Sequence, residues 1–461
     1  HVIGSMKIKN LILITFLLLV ACASYVATPE IKPTKQVPTK TPKATSTPGN
    51  DSQLGVPEES LKGLTVNVWH PWFGVESSLF GSLVKDFNKE NKWGITVVAV
   101  SQNNYSYLYE NVSASFAASN RPDLVIALPE QALAWDAAGV VTDLTPYVDD
   151  PAYGVDASDF YNIFWIQDNF GGRRVAVPAQ RSARFMLWNQ SWSGDLGFIS
   201  APRTSADFEL QACRAHQAML TDESASNDGR GGWLVDTSWQ TAFSWLLSFE
   251  GGVLEGNGYR FFTPNNIAAF KYLRLLSEKN CAWQASADVD RYQAFANREA
   301  MFASVSLEEF SDQSRAFGDA GNADTWVALP YPGDAQEGVV AYGSSYLILQ
   351  SGKEQQLATW LFVRWMLDPE RDARMVSATH LLPLRASTLD LLADYEKTHP
   401  QWAEAVKLIP EMTLQPQLAS WRSVKIMIGD GFTQMYRVNM QSGQIAVVLA
   451  QMESTSRDLS K

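Results

Sequence analysis

Histidine is scarce in this chain, and its placement excludes several chemistries. The five are His1, His70, His216, His380 and His399. No two stand at helical metal-ligand spacing, and no His-Glu-x-x-His run occurs. A Gly-x-Ser-x-Gly elbow and a P-loop are also missing. No motif for a cofactor or a catalytic metal is present. Positive charge is in deficit: 37 Lys and Arg stand against 49 Asp and Glu, a net charge of -12. That balance argues against non-specific nucleic-acid binding and against attraction to an anionic membrane surface. Cysteine is limited to Cys22, Cys213 and Cys281. No internal repeat is found.

What is present is a globular composition. Apolar residues make up 46% of 461 residues, enough for a real core in two or three domains. Tryptophan is plentiful, and some of these rings are expected to stack on flat apolar ligand faces.

The stretch from Gly63 to Asn103 organises the rest. Leu64–Trp69 reads as a strand. Leu79, Phe80, Leu83, Val84 and Phe87 fall on one face of a helix, with Ser77 and Ser78 as candidate N-caps, and Ile95–Val100 is a second strand. A crossover of this length makes the strands parallel, and open parallel sheets bind ligands beyond their carboxyl ends. Those ends carry His70, Trp72, Glu76, Gln102 and Asn103.

Strands and helices keep alternating beyond this unit, which gives an α/β fold class. Asp123–Leu128 reads as a buried strand, and Pro129–Ala138 as a helix closed by Gly139. Val177 and Phe185–Asn189 read as strands; helices are expected over Phe208–Leu220, Ile267–Glu278 and Gln355–Leu367. Val327–Pro330 and Val339–Leu349 read as strands, the latter broken by Gly343. Glu308 and Glu309 read as a solvated pair, and Trp233 and Trp239 as core residues.

The N-terminus reads as a targeting segment. His1–Ser5 are upstream residues. Residues 6–21 form a signal peptide with Lys7, Lys9 and an apolar stretch, Leu11–Val20, too short to span a bilayer. Leu19-Val20-Ala21-Cys22 resembles the bacterial lipobox, with Cys22 as the lipidated residue. Residues 22–60, rich in Pro, Thr and Lys, read as a disordered, semi-stiff linker.

Several segments together carry a family resemblance: LTVNVWHPWFG (64–74), RPDLVIALPEQALAWDAAGVVTDLTPYV (121–148), GGRRVAVPAQRSARFMLWNQSW (171–192), FANREAMFAS (295–304), WVALPYPG (326–333) and LPLRAS (382–387). In this order the chain resembles the extracellular solute-binding proteins of bacterial ABC importers, family 1, which include maltose-type sugar binders. Trp188-Asn189 stands where Tyr-Asn is usual. The resemblance covers the chain from about Leu64 onward. It implies a two-lobed periplasmic-binding-protein fold with hinge crossings near Ala176–Gln180, Leu329–Pro332 and Pro383. Lobe one would hold 61–178 and 331–383, and lobe two 182–328 and 384–461. It further implies a monomer that captures a sugar or oligosaccharide and passes it to ABC permease subunits, held at the membrane by its lipid anchor alone.

Sugar chemistry matches the residue types at hand. A pyranose stacks its apolar faces on aromatics and needs fixed donors and acceptors for its hydroxyls. Trp72 is the stacking candidate from its loop position. Trp421 sits where maltose-type binders keep a stacking Trp, and Tyr342 where the family brings an aromatic near ligand. Glu76, Gln102, Glu130 and Gln180 are candidates for the polar edge. Two other readings stand beside this one. Glycerol phosphate or a related polyol would call on Arg181 and Arg184. A secreted glycoside hydrolase would need two carboxylates across a cleft, such as Glu76 and Glu130. With Cys22 lipidated, Cys213 and Cys281 remain as an even pair in an oxidising compartment, and the resemblance puts both in lobe two. They are read as a disulfide, with two buried thiols as the alternative.

The lipobox reading has a direct test. Cells given a palmitate analogue are expected to label the wild-type chain and not Cys22→Ser; equal labelling of both would remove the anchor.

Overall fold

The computed structural model describes residues 51–118, 120–334 and 336–461. Cys22 and the signal peptide lie outside the described residues. In chain order the elements that frame the site are β1 (Thr65–His70), α1 (Gly74–Glu90), β2 (Thr96–Ser101), α2 (Tyr105–Ser115), β3 (Leu124–Ala127), α3 (Pro129–Ala137), β4 (Val177–Pro178) and β5 (Ser182–Asn189). There follow α4 (Ser205–Leu220), β6 (Gly231–Leu234), α5 (Trp239–Ser248), α6 (Pro264–Glu278), β7 (Ala282–Trp283), β8 (Ala300–Ser306), β9 (Trp326–Leu329), β10 (Val340–Tyr342) and β11 (Ser345–Ile348). The last are α7 (Lys353–Met366), α8 (Pro369–Thr379), β12 (Thr413–Leu414), α9 (Trp421–Met435) and α10 (Ile445–Leu459).

Two sheets divide these strands. The first runs β2-β1-β3-β11-β4. Its β1–β2 pairing is parallel, from Thr65 opposite Thr96 to His70 opposite Ser101. The second runs β7-β6-β8-β5-β10-β12, with β9 also paired to β5. This is a two-lobed α/β architecture, one sheet to a lobe.

Period-two patterning sets both cores. In β3, Leu124 and Ile126 join one apolar cluster, Val125 and Ala127 another. In β5, Phe185 and Leu187 face one way and Met186 and Trp188 the other. Each sheet is therefore covered on both faces, as strands buried on both sides require. On α1 the predicted stripe is buried at Phe80, Leu83, Val84 and Phe87. The helix begins earlier than Ser77 and Ser78 suggest: Phe73 is its N-cap, and Ser78 Oγ donates to the Gly74 carbonyl at 2.9 Å within the first turn.

Two expected boundaries shift. Residues 51–60, assigned to the linker, are docked on the body. Ser52 Oγ and Gln53 N both donate to Asp150 Oδ2, at 3.0 and 2.8 Å, while Leu54 and Val56 pack on the core. The apolar pair among the prolines gives this stretch something to bury. The crossing expected near Leu329–Pro332 lies further on. Tyr331 bridges to Gly338, and β10 pairs with β5, so the chain stays in the second sheet until Gly343. Gly343 has φ 153°, and a Cβ there would run into the Gln180 carbonyl oxygen. The close approach of the two crossing segments demands glycine.

Cys213 on α4 and Cys281 after α6 are joined by a disulfide, with Cα atoms 4.4 Å apart. It closes a 68-residue separation within the second lobe. On the chain-entropy view such a closure stabilises by about 4 kcal/mol.

The crossings meet at one buried ion pair. Arg181 Nη2 lies 2.9 Å from Asp168 Oδ2, both side chains 1% exposed. Arg181 Nη1 donates to the carbonyls of Ser344 (2.6 Å) and Gln180 (2.9 Å), and Ser345 Oγ donates to Asp168 at 2.8 Å. Leu382 N donates to the Arg181 carbonyl at 2.8 Å, which brings in the third crossing. Removing one partner strands the other charge. Asp168→Asn is expected to cost roughly 3–5 kcal/mol in urea unfolding; a loss under about 1 kcal/mol would mean that the carbonyls alone hold Arg181.

Candidate functional site

The first polar chain starts at Trp72, on the loop that β1 delivers. Its indole Nε1 donates to Gln180 Oε1 at 2.9 Å, and Gln180 Nε2 donates to Glu76 Oε1 at 3.3 Å. Trp72 is only 3% exposed and meets Phe80 edge-on at 5.0 Å. Its faces are thus largely taken by protein, and its visible role is to orient Gln180. Glu76 is half-buried in the first turn of α1. Burial holds its carboxyl above the usual range; Gln180 opposes this and nearby Glu308 adds to it.

Glu308 comes from the other lobe, just past the carboxyl end of β8. Ser182 Oγ donates to it at 2.5 Å and the Tyr342 hydroxyl at 3.4 Å. Glu308 is an exposed residue; desolvation raises its carboxyl, the Ser182 hydrogen bond opposes this and Glu309 adds to it. Tyr342 also donates to Ser306 Oγ at 2.7 Å, and burial followed by Glu308 pushes its hydroxyl upward. Tyr105, opening α2, is raised by burial and by the charges of Glu76, Glu130 and Glu308. Carboxylates from both lobes are thus held by the same crossing, Glu76 through Gln180 and Glu308 through Ser182.

Glu130, in the first turn of α3, forms an ion pair with Lys425 of α9, side chains 1% and 15% exposed. Lys425 Nζ lies 5.8 Å from the Trp239 ring centroid. Arg422, one turn back, sits 4.3 Å over Tyr109 of α2. Helix α9 therefore reaches across to the first lobe.

The structure redistributes the expected roles. Trp421 is 0% exposed, donates to Gln415 Oε1 at 3.0 Å and is enclosed by Trp239, Phe243 and Tyr259. It is a core residue, and the partly exposed ring in front of it is Trp239, 6.0 Å from Tyr342. Gln102 lies apart from this cluster and accepts from Asn111 at 2.7 Å. Arg181 and Arg184, the expected anion ligands, are both committed: Arg181 to Asp168, and Arg184 to Asp236 (2.7 Å) and Glu309 (2.9 Å). Glu308, read as solvated, belongs to the cleft. The carboxyl-end rule that found Glu76 on the first sheet finds Glu308 when applied to β8.

Residues 82–409 match the sequence model of a family described as bacterial extracellular solute-binding protein. The chain belongs to this family. Membership makes it a binding protein of an exported class. Among the described residues no helix is long and apolar enough to cross a membrane. Solved structures agree in fold. MalE, a sugar-binding protein from Xanthomonas citri, superposes with a TM-score of 0.74 at 19% identity, covering 86% of this chain and 97% of its own. A cyclic alpha-maltosyl-1,6-maltose binding protein from Arthrobacter globiformis gives 0.71 at 17%, covering 86% and 99%. UgpB from Mycobacterium tuberculosis, solved with glycerophosphocholine, gives 0.68 at 18%, covering 86% and 98%. No curated protein sequence matches the chain.

His70, at the end of β1 and against the Trp72 and Phe80 rings, carries a pH signature. It is 3% exposed, its Nδ1 has no partner, and burial lowers its pKa from 6.5 to about 4. The unfolded chain takes up the proton first on acidification. Stability from neutral His70 is therefore complete above pH 6.5 and is lost as pH falls from 6.5 towards 4. The loss is expected to be roughly 1–3 kcal/mol. Melting curves of wild type and His70→Gln should diverge in slope over that window; parallel curves would acquit His70.

Proposed function

We propose that this solute-binding protein captures a sugar or oligosaccharide between its lobes and delivers it to an ABC permease. In this reading the body is tethered by lipid on Cys22, and it is monomeric. The observation that carries the ligand class is the character of the cleft. Glu76, Gln180, Glu308 and the Tyr105 and Tyr342 hydroxyls offer acceptors and donors from both lobes. Trp239 and Tyr342 supply aromatic faces. Sugar hydroxyls and ring faces need these two kinds of group. Sugar binders stand among the proteins of like fold.

The lobes are taken as the first sheet with its helices and the second sheet with the C-terminal helices, hinged where Gln180, Gly343 and Leu382 meet. Closure about such a hinge distinguishes loaded from empty protein for a transporter. Glu76, Glu130, Gln180 and Tyr342 are retained as ligand-facing residues, with Trp72 positioning Gln180. A phosphate-bearing ligand fits less well, because both arginines near the crossing are neutralised by carboxylates.

A thermal-shift screen over mono- and oligosaccharides and glycerol 3-phosphate tests the reading. A cognate sugar at 100 times its Kd should add about 2.7 kcal/mol of apparent stability. The sugar should be recovered intact by chromatography, and glycerol 3-phosphate should give no shift. A shift with the phosphate alone, or consumption of the sugar, would sink it.

A further inference from the structure

Glu76 and Glu308 belong to different lobes but attach to the same few residues of chain. Gln180 donates to Glu76 at 3.3 Å, and Ser182 donates to Glu308 at 2.5 Å. Residues two apart in extended chain point to one side, about 6–7 Å apart. The two carboxylates therefore flank a single gap over the crossing. Their protein partners are neutral: an amide and two hydroxyls, those of Ser182 and Tyr342.

The cations around the gap are committed elsewhere. Arg181 pairs with Asp168, Arg184 with Asp236 and Glu309, and Lys425 with Glu130. One further buried acceptor has no hydrogen-bond partner: Glu130 Oε2, on a residue 1% exposed whose other oxygen pairs with Lys425. Burial and then the charges of Glu76, Glu130 and Glu308 raise the Tyr105 hydroxyl, with a hydrogen bond to Ser344 opposing them. Trp239 stands 6.0 Å from Tyr342, whose hydroxyl donates to Glu308.

We propose that this gap receives a positively charged group, so that the ligand of the cleft is a saccharide bearing a protonated amine. The inference rests on the saccharide reading of the cleft and narrows it. An ammonium relieves the repulsion between Glu308 and the half-buried Glu76, which a neutral hydroxyl leaves in place. Its three N–H donors match the carboxylates of Glu76 and Glu308 and the unpartnered oxygen of Glu130. The surrounding ring faces attract a cation as well.

Calorimetry on the full chain at pH 7 tests this with pairs matched except for the amine: glucosamine against glucose, and the 1,4-linked glucosamine disaccharide against both its N-acetylated form and cellobiose. The amine member of a pair is expected to bind at least about tenfold tighter, a factor equivalent to ~1.4 kcal/mol. Glu308→Gln should bring that ratio close to one by weakening the amine member far more than its neutral counterpart; Glu76→Gln serves if Glu308→Gln does not fold. Neutral sugars binding as tightly as their amines would overturn the charge inference and leave the sugar reading standing. An unchanged ratio in a folded Glu→Gln variant would overturn it too. Binding of no saccharide in any pair would overturn both readings. Glycerophosphocholine binding more tightly than every amino sugar would overturn the saccharide assignment.

Discussion

The Arg181–Asp168 pair is the constraint on which the two-lobed arrangement depends. It lies where three segments cross, and its hydrogen bonds reach the backbone of each side: Gln180, Ser344 and Phe164. A buried guanidinium and carboxylate lose hydration, and only good geometry with further hydrogen bonds offsets that loss. Here the planar guanidinium supplies that geometry, and Ser345 completes the carboxylate side. Gly343 permits the close approach that this needs. The same residues that fix the crossing also floor the cleft, since Gln180 and Ser182 flank Arg181 in sequence. Hinge and ligand contacts are thus built from one stretch of chain.

The cleft is closed over by chemistry from the far end of the sequence. Lys425 on α9 meets Glu130 of the first lobe, Arg422 covers Tyr109, and Gln417 Nε2 donates to the carbonyls of Gln167 (2.6 Å) and Ile166 (3.1 Å). These contacts are polar or cation–ring in kind. Individually such contacts contribute modestly, and they break without exposing a large apolar face. That suits a surface that must part and rejoin, in contrast to the disulfide and the aromatic packing inside the second lobe.

Much of this was legible in residue patterns because local rules govern it. The period-two runs around Leu124 and Phe185 and the α1 stripe depend on neighbours a few residues away. So does the placement of Trp72 and Glu76 after a parallel strand. The family resemblance added the two lobes and the order of the crossings. What depended on distant partners was not legible. Whether Trp421 or Trp239 faces the cleft turns on which ring α5 and Tyr259 cover, and sequence spacing carries no record of that. Arg181 and Arg184 looked like anion ligands because their carboxylates, Asp168, Asp236 and Glu309, are up to 125 positions away.

By itself the sequence determined the α/β class, the helix and strand faces, and the acidic balance, because each follows from composition or short-range periodicity. Tertiary structure alone decided which charges neutralise one another and which stay unpaired in the cleft. Pairing acts through space over a few ångströms, and only the folded chain brings Lys425 to Glu130 and holds Glu76 and Glu308 on one crossing.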